Sequence, residues 1–236
     1  DILFPIADFY LKKERWNEAI EVYEEMETIG ALQGRGAEYY QKLGYALQKN
    51  KKYAEAIDAY LKADTLKPDN IWNNRHLAIC YRLNRNYQAA LSYYKKVEEA
   101  TPEDTNVIFH IGSCLAELGQ YEEAANYFFK LDFIESNCIK AWRGIGWCSF
   151  ISRKYEQAMK YYEKIIEQKP LAIDYMNAGH VAWTMGDIQK AAALYGKSIT
   201  ANGNRERFLE MFRKDKEALL KQGIQEEDIP LMLDLL

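Results

Sequence analysis

The feature that most constrains the fold of this chain is a short motif that recurs six times at nearly constant spacing. In each copy an aromatic or aliphatic residue is followed by alanine at i+3, an apolar residue at i+4 and an aromatic residue at i+7. This spacing places all four residues on one face of an α-helix. The copies begin at Trp16, Tyr53, Tyr87, Tyr121, Tyr155 and Ile188, at steps of 37, 34, 34, 34 and 33 residues. Such a period predicts a stack of similar structural units.

A second helical stripe, which contains a small residue, lies roughly a dozen residues upstream of the motif's alanine in the last five copies. A glycine inside a helix costs about 1 kcal/mol relative to alanine, so its recurrence predicts close contact between helices. The small residues are Gly44, Ala78, Gly112, Gly146 and Gly179. Pro68, Pro102 and Pro170 follow the second helix and are expected to end it. Each unit is therefore predicted to be a pair of helices.

These residues resemble the tetratricopeptide repeat, a helix pair of about 34 residues. One copy that fits the family pattern contains Trp142, Ile145, Gly146, Ala158, Tyr162 and Pro170, with Ser149 where the family has tyrosine. Another contains Tyr40, Leu43, Gly44, Ala56, Tyr60, Ala63 and Pro68. The resemblance implies an all-α fold, a right-handed α-α superhelix of about six helix pairs plus a C-terminal capping helix. It identifies the fold more closely than the function, because the family serves as a scaffold in many settings.

The pattern divides the chain into repeats and two atypical ends. Residues 1–36 are expected to form a degenerate repeat, because Ala7-Asp8 stands where Leu-Gly belongs, and three extra residues occur around Gly30–Gly36. Five repeats are predicted at 37–70, 71–104, 105–138, 139–171 and 172–205. The repeat at 105–138 has Ser136-Asn137 in place of the proline turn. The repeat at 172–205 is one residue short at its start, near Leu171.

Residues 206–236 are expected to form the C-terminal cap, since the last repeat of a solenoid needs cover for its apolar face. A helix is predicted over 205–222, with Gly223 ending it. Its apolar face is predicted to consist of Phe208, Met211, Phe212 and Leu219. The apolar segment Leu231–Leu236 is expected to fold back on this helix. If it were free, it would mark a site for a partner or for self-association.

Composition narrows the classes of function. The formal net charge is −4 and the pI about 5.6, whereas proteins devoted to nucleic acid carry a basic footprint. No run of eighteen apolar residues occurs, so no membrane association is expected. Four cysteines without close pairing favour a reducing, cytoplasmic location. The chain starts at Asp1 rather than at methionine, which indicates an excised or processed fragment.

In this family the first helix of each repeat lines the concave surface, and the stripe opposite the packing residues is here rich in aromatic and cationic side chains. Trp, Tyr, Phe and Arg are the residues enriched at interface hot spots. We therefore expect an extended peptide or helix with apolar anchors and acidic neighbours to bind there. The alternative is that the aromatics pack between adjacent first helices and that the arginines are only solvated. The candidate binding residues are Tyr45, Trp72, Arg75, Arg82, Phe109, Lys140, Arg143, Trp147, Phe150, His180 and Trp183.

Two specific kinds of binding site, a carboxylate clamp and a zinc site, are not favoured. Some family members hold a C-terminal carboxylate in a Lys, Asn and Arg clamp, but Gln41 and Tyr45 stand where a Lys/Asn pair would be needed. His76 and His110 lie four residues before Cys80 and Cys114, and Cys148 follows one period later. Zinc needs four converging ligands, whereas helices pack about 10 Å apart, so buried small apolar cysteines are expected.

No nucleophile elbow, phosphate loop or cluster with catalytic spacing occurs, so no catalytic residue, metal or cofactor is expected. The favoured function is a non-catalytic scaffold that binds a protein or peptide partner in the concave groove. A targeting or regulatory module of a larger protein or enzyme is the main alternative. An RNA-binding helical repeat is a third, disfavoured by the acidic pI. Homo-oligomerisation through the terminal repeats stays open.

Overall fold

A computed structural model describes residues 2–30 and 34–236, and the regular elements within these ranges are all helices. The all-α fold is therefore confirmed. Of the three-residue excess around Gly30–Gly36, residues 31–33 lie outside the described residues. The helices are α1 (Leu3–Lys12), α2 (Trp16–Thr28), α3 (Gly36–Lys49), α4 (Tyr53–Leu66), α5 (Ile71–Leu83), α6 (Tyr87–Ala100), α7 (Thr105–Glu117), α8 (Tyr121–Ile134), α9 (Ile139–Ile151), α10 (Tyr155–Ile166), α11 (Ala172–Thr184), α12 (Ile188–Asn202), α13 (Arg205–Lys221) and α14 (Asp228–Asp234).

The chain divides into two compact units, a first unit over Asp1–Leu118 and a second unit over Gly119–Leu236. In the first unit each helix from α1 to α7 packs on the next one along the chain. In the second unit the same holds from α8 to α13, and α13 also packs on α11. Helix α3 begins one residue before the predicted repeat limit at 37. The individual repeat limits stay predictions.

The centre of a helix pair is a buried tyrosine of the second helix that lies against a glycine of the first. A Cβ added at Gly44 would lie 2.8 Å from Cε1 of Tyr60. A Cβ at Gly179 would lie 2.5 Å from Cε1 of Tyr195, which is tighter than van der Waals contact. Tyr60 and Tyr195 are both fully buried. The close helix contact that the recurring glycines predict is therefore confirmed at these positions.

Side-chain caps start two of the helices, and a left-handed glycine ends α13. The side chain of Asn70 accepts from the N–H of Asn73 at the start of α5, and Asp104 accepts from two N–H groups at the start of α7. Gly223 follows α13 with φ +101°, a conformation that favours glycine because it has no Cβ. Its predicted role in ending this helix is confirmed.

Helix α13 caps the second unit as predicted. Phe208, Phe212 and Leu219 are buried, whereas Met211 is only half-buried. The ring of Phe212 lies 5.7 Å from that of Tyr195, so the cap covers the tyrosine of the last helix pair. Much of the apolar face left by the final repeat is thereby removed from water.

The C-terminal segment that contains α14 is buried on one side and exposed on the other. In α14 the side chains of Ile229 and Met232 are buried, but Leu231 is 64% exposed and Leu235 is 62% exposed. The guanidinium of Arg205 donates to the backbone carbonyl of Leu233 at 2.6 Å, which ties α14 to the start of α13. Within the predicted segment Leu231–Leu236, Met232 is thus buried, whereas Leu231 and Leu235 are exposed, contrary to the expectation that the segment is covered. Its packing on the capping helix stays a prediction.

Close packing at Gly179 predicts a large effect of one methyl group. Gly179→Ala should lower the free energy of unfolding by about 1–3 kcal/mol, because the new Cβ overlaps the Tyr195 ring and the pair must separate. Urea denaturation followed by circular dichroism measures this change. Gly196→Ala is the matched control in the partner helix, since nothing lies within 4 Å of its Cβ position. Alanine there should raise stability by about 0.5–1 kcal/mol. Equal effects of the two variants would contradict the packing argument.

Candidate partner-binding surface

The first unit carries an aromatic cluster on α3 and α5, formed around Trp72. The ring centroids of Trp72 and His76 are 4.0 Å apart, and Tyr45 lies 6.2 Å from Trp72 and 5.6 Å from His76. Tyr60 stacks on the other side of His76 at 5.7 Å. The adjacent first helices therefore share an aromatic layer, as the packing alternative anticipated.

Trp72 nevertheless remains 43% exposed, although His76 fixes its position. The imidazole is held in turn by Gln48, whose Oε1 accepts from Nδ1 of His76 at 2.7 Å and from the hydroxyl of Tyr60 at 3.0 Å. A large apolar ring is thus presented to solvent on a support that does not have to reorganise. Pre-ordered aromatic residues of this kind lose little conformational entropy when a partner covers them.

Positive charge surrounds this cluster. Nζ of Lys49 lies 5.3 Å from the centroid of the Tyr45 ring, in a cation–π arrangement. Burial, together with the nearby charges of Lys49 and Arg75, lowers the pKa of His76 to about 4. His76 is therefore neutral at neutral pH, and the two cations are the charges that a partner would meet here.

The candidate arginines form structural contacts. Nη2 of Arg75 lies 2.8 Å from Oδ2 of Asp104, the residue that caps α7. Arg143 binds Asp174 through two hydrogen bonds of 2.7 Å, from Nε and from Nη2. Asp174 also accepts from the N–H of Leu171 at 2.7 Å, so it fixes the start of α11. Each arginine therefore joins its own helix to the beginning of the next first helix.

The two arginines occupy equivalent repeat positions, and their carboxylate partners were not predicted from the sequence. The signal was present, because an acid follows each arginine by roughly thirty residues, at the start of the next repeat. The side chain of Asp174 is 1% exposed and that of Arg143 is 33% exposed. A carboxylate that is so deeply buried needs its cation, so Arg143 is only in part available to a partner.

The remaining candidates of the first unit are half-buried. Nε of Arg82 donates to the hydroxyl of Tyr94 at 3.4 Å. Burial raises the pKa of Tyr94 to about 12, so the phenol stays protonated. The Tyr94 ring stacks on His110 at 5.4 Å, and Phe109 meets the same imidazole edge to face. These side chains contribute an accessible edge rather than a protruding anchor.

In the second unit only part of the predicted stripe reaches the surface. Nζ of Lys140 lies 3.4 Å from a carboxylate oxygen of Glu135. Trp147 is half-buried beside Phe150, at 5.6 Å between centroids. The other three candidates are removed from solvent: Phe150 is 1%, His180 0% and Trp183 5% exposed.

The cap explains the burial of His180 and Trp183, because α13 lies over the face that a further repeat would cover. The Phe212 ring lies 5.4 Å from His180 and 6.5 Å from Trp183. Nδ1 of His180 shares a hydrogen bond of 2.8 Å with the hydroxyl of Tyr195. Phe150 stacks on His180 in the same core. These three residues are packing groups and are left out of the candidate surface.

The cysteines that recur one repeat apart are buried, as expected of small apolar residues. Burial raises the pKa of Cys80 and of Cys148 to about 12 and that of Cys114 to about 11, so these thiols stay protonated. Within residues 2–30 and 34–236 no group of three or more His, Cys, Asp or Glu side chains is placed to hold a metal ion. In the same described part of the chain, no helix has both the length and the apolar character needed to cross a bilayer.

Sequence comparison covers most of the chain with one family. Three family models, each described as Tetratricopeptide repeat, match the chain. They match residues 3–33, residues 37–70, 139–170 and 175–205, and residues 82–148. No curated protein matches the chain.

Solved structures share the fold. A tetratricopeptide repeat protein from Parabacteroides merdae is 20% identical with a TM-score of 0.67, over 99% of this chain and 96% of that chain. YrrB, described as a TPR protein with an unusual peptide-binding site, is 20% identical with a TM-score of 0.64, over 80% of this chain and 97% of its own. MamA AMB-1 is 23% identical with a TM-score of 0.64, over 71% of this chain and 90% of its own.

The burial of Asp174 makes the Arg143 pair a sensitive site. Arg143→Gln should lower the free energy of unfolding by about 2–4 kcal/mol, because it leaves a buried carboxylate without its cation. The thermal unfolding midpoint reports the loss. Lys221→Gln, which removes the surface pair with Glu217, is the control and should leave the midpoint unchanged. Recovery in the Arg143→Gln/Asp174→Asn double variant is expected, and its absence would count against the pairing.

The lowered pKa of His76 predicts a pH dependence. In the unfolded chain His76 is protonated as the pH falls through about 6.5, whereas in the folded chain it is protonated only near pH 4. This contribution to stability is full above pH 6.5 and is lost as the pH falls to 4. Between pH 7 and 4 the wild type should therefore lose about 1–2 kcal/mol more than His76→Gln, allowing for solvent screening. Urea denaturation across this range tests the difference, and parallel profiles would refute it.

Proposed function

Because this chain belongs to the tetratricopeptide repeat family, we propose that it is a non-catalytic scaffold that binds a protein partner on the exposed aromatic surface of α3 and α5. The observation that carries the proposal is Trp72, a large ring that is held by His76 and yet 43% exposed. Tryptophan is among the residues most enriched at binding hot spots.

The charges around Trp72 define the partner. Lys49 and Arg75 lie close enough to His76 to lower its pKa, so the local field is positive. Arg75 is balanced by Asp104, whereas Lys49 contacts a ring. The preferred ligand is therefore a peptide segment with an aromatic or large aliphatic anchor beside an acidic residue. The anchor would cover Trp72, and the carboxylate would meet Lys49.

The rest of the proposed surface supports this contact in each unit separately. In the first unit the whole proposed surface comprises Tyr45, Trp72, Arg75, Arg82 and Phe109. In the second unit it comprises Lys140, Arg143 and Trp147. Helical repeats suit such a role because their helices present a rigid contact area that needs no ordering on binding. YrrB, which shares the fold, is described as having a peptide-binding site.

The ion pairs favour a protein ligand over RNA. Binding of nucleic acid depends on cations that neutralise phosphates. Arg75 and Arg143 are paired with Asp104 and Asp174, so their charge is already neutralised and they offer little to a row of phosphates. The formal net charge of −4 acts in the same direction.

A peptide library displayed on phage tests the proposal even though the natural partner is not identified. Peptides selected on the wild type should combine an aromatic or aliphatic anchor with a neighbouring Asp or Glu. Trp72→Ala and Lys49→Glu should each weaken their binding at least tenfold, about 1.4 kcal/mol or more. Isothermal titration calorimetry measures this, after circular dichroism has shown equal helicity.

Phe133→Ala is the matched control, because Phe133 is an 89% exposed aromatic on α8, outside the proposed surface. It should leave the affinity unchanged. If the selected peptides bind Trp72→Ala as tightly as the wild type, the proposed surface is wrong.

A further inference from the structure

Beside the C-terminal helix, the second unit has an apolar groove that is open to solvent. This groove, called here the α14 groove, has a volume of about 410 Å³. Its lining residues are Trp183, Ile188, Asp228, Leu231, Met232 and Leu235. The volume lies within the range of pockets that bind ligands, about 300–1,000 Å³. The groove is separate from α3 and α5, so it does not depend on the function proposed above.

The groove has a buried floor and exposed walls. Trp183 and Met232 form the floor, at 5% and 3% exposure. Leu231, Leu235 and Ile188 form the walls and are 64%, 62% and 42% exposed. Residues 228, 231, 232 and 235 recur at helical spacing, so one stripe of α14 faces the groove. A continuous apolar patch of this kind indicates a binding site more often than scattered surface leucines do.

The groove is preformed. Trp183 stacks on Phe212 with an interplanar angle of 28° and meets Tyr195 edge to face. Arg205 holds α14 through its 2.6 Å hydrogen bond to the carbonyl of Leu233. Both sides are therefore fixed before a ligand arrives, which reduces the entropic cost of binding.

The rim is acidic. Residues 222–236 contain four acids and no lysine or arginine. Glu226 pairs with Lys216 at 2.6 Å, while Glu227, Asp228 and Asp234 surround the exposed leucines along the chain. Asp187 directly precedes Ile188 at the opposite wall.

The nearby cations do not cancel this charge. Lys190 pairs with Glu163 at 2.8 Å. Arg205 keeps its positive charge while it donates to the carbonyl of Leu233, so it offsets one rim carboxylate and leaves the rim with net negative charge. An apolar ligand that reaches the groove therefore gains most if it carries positive charge at its edges. A phosphate-rich ligand, such as nucleic acid or an anionic lipid surface, would be repelled by the same rim.

We propose that the α14 groove binds a basic amphipathic helix of a partner protein. One face of such a helix supplies aliphatic side chains at i, i+3, i+4 and i+7 that fill the groove between Leu231, Leu235 and Ile188. Lysine or arginine side chains flanking that face meet Asp228 and Asp234. The chemistry is opposite to that expected at Trp72, where the partner is acidic, so the protein has two surfaces of different charge preference.

Two synthetic peptides of fourteen residues provide the test on the intact chain. Both carry leucine at helical spacing, and the remaining positions are lysine in one and glutamate in the other. Fluorescence anisotropy should show that the lysine peptide binds at least tenfold more tightly than the glutamate peptide. The preference should decrease as salt is raised, because it is electrostatic.

Variants locate the binding. Leu231→Ser/Leu235→Ser should weaken the binding of the lysine peptide at least tenfold. Asp228→Asn/Asp234→Asn should weaken its binding severalfold and reduce the dependence of the affinity on salt. Leu66→Ser/Phe133→Ser is the control, since these two residues are 57% and 89% exposed elsewhere in the chain. It should bind the lysine peptide like the wild type.

Three outcomes would overturn the proposal. The first is equal affinity for the two peptides, and the second is a loss in the control variant as large as that in the leucine variant. The third is a second copy as the occupant, seen in sedimentation as a dimer that only Leu231→Ser/Leu235→Ser dissolves. None of these results bears on Trp72, so the function proposed for α3 and α5 stands or falls separately.

Discussion

In three of the helix pairs the contact between a helical glycine and a buried tyrosine ring sets the distance between the two helices, and the packing around them depends on that distance. At Gly44, Gly146 and Gly179 a Cβ would come within 3 Å of the facing ring, so the pairs can close only if that position has no side chain. The rings concerned are fully buried. Two of the hydroxyls are hydrogen-bonded as well: Tyr60 donates to Gln48, and Tyr195 is bonded to His180. Helix spacing, core and the orientation of neighbouring polar side chains are thus set by one interaction.

The surface properties depend on how that core is continued from one repeat to the next. Gln48, fixed by Tyr60, orients His76, and His76 supports Trp72. The exposed tryptophan is therefore connected to the packing centre through two side chains. The arginines also connect one repeat to the next. Arg75 and Arg143 each link their own helix to the carboxylate at the start of the first helix of the following repeat. A cation used in this way stabilises the stack and has less freedom to bind a partner.

The apolar face at the C-terminal end of the second unit is only partly covered. Helix α13 covers Tyr195 and Trp183 with Phe212, as a terminal repeat requires. Helix α14 is too short to complete this cover, and two of its leucines remain exposed. Ser149 shows a similar incompleteness within a repeat. It stands where the family has tyrosine, and it lines a cavity of about 250 Å³ with Cys148 and Gln157.

The amino-acid pattern was enough to predict the helices, their pairing and the capping role of Phe208 and Phe212, because helical spacing and small residues encode local geometry directly. It also identified the stripe that holds Trp72 and Arg75. It did not determine which members of that stripe are accessible. Exposure depends on which element lies above a residue, and periodicity carries no such information. Only the tertiary structure buried His180 and Trp183 beneath α13, paired Arg143 with Asp174, and left Leu231 and Leu235 in contact with solvent. The physical reason is that packing periodicity is a local property, whereas burial and ion pairing join residues that are distant in sequence.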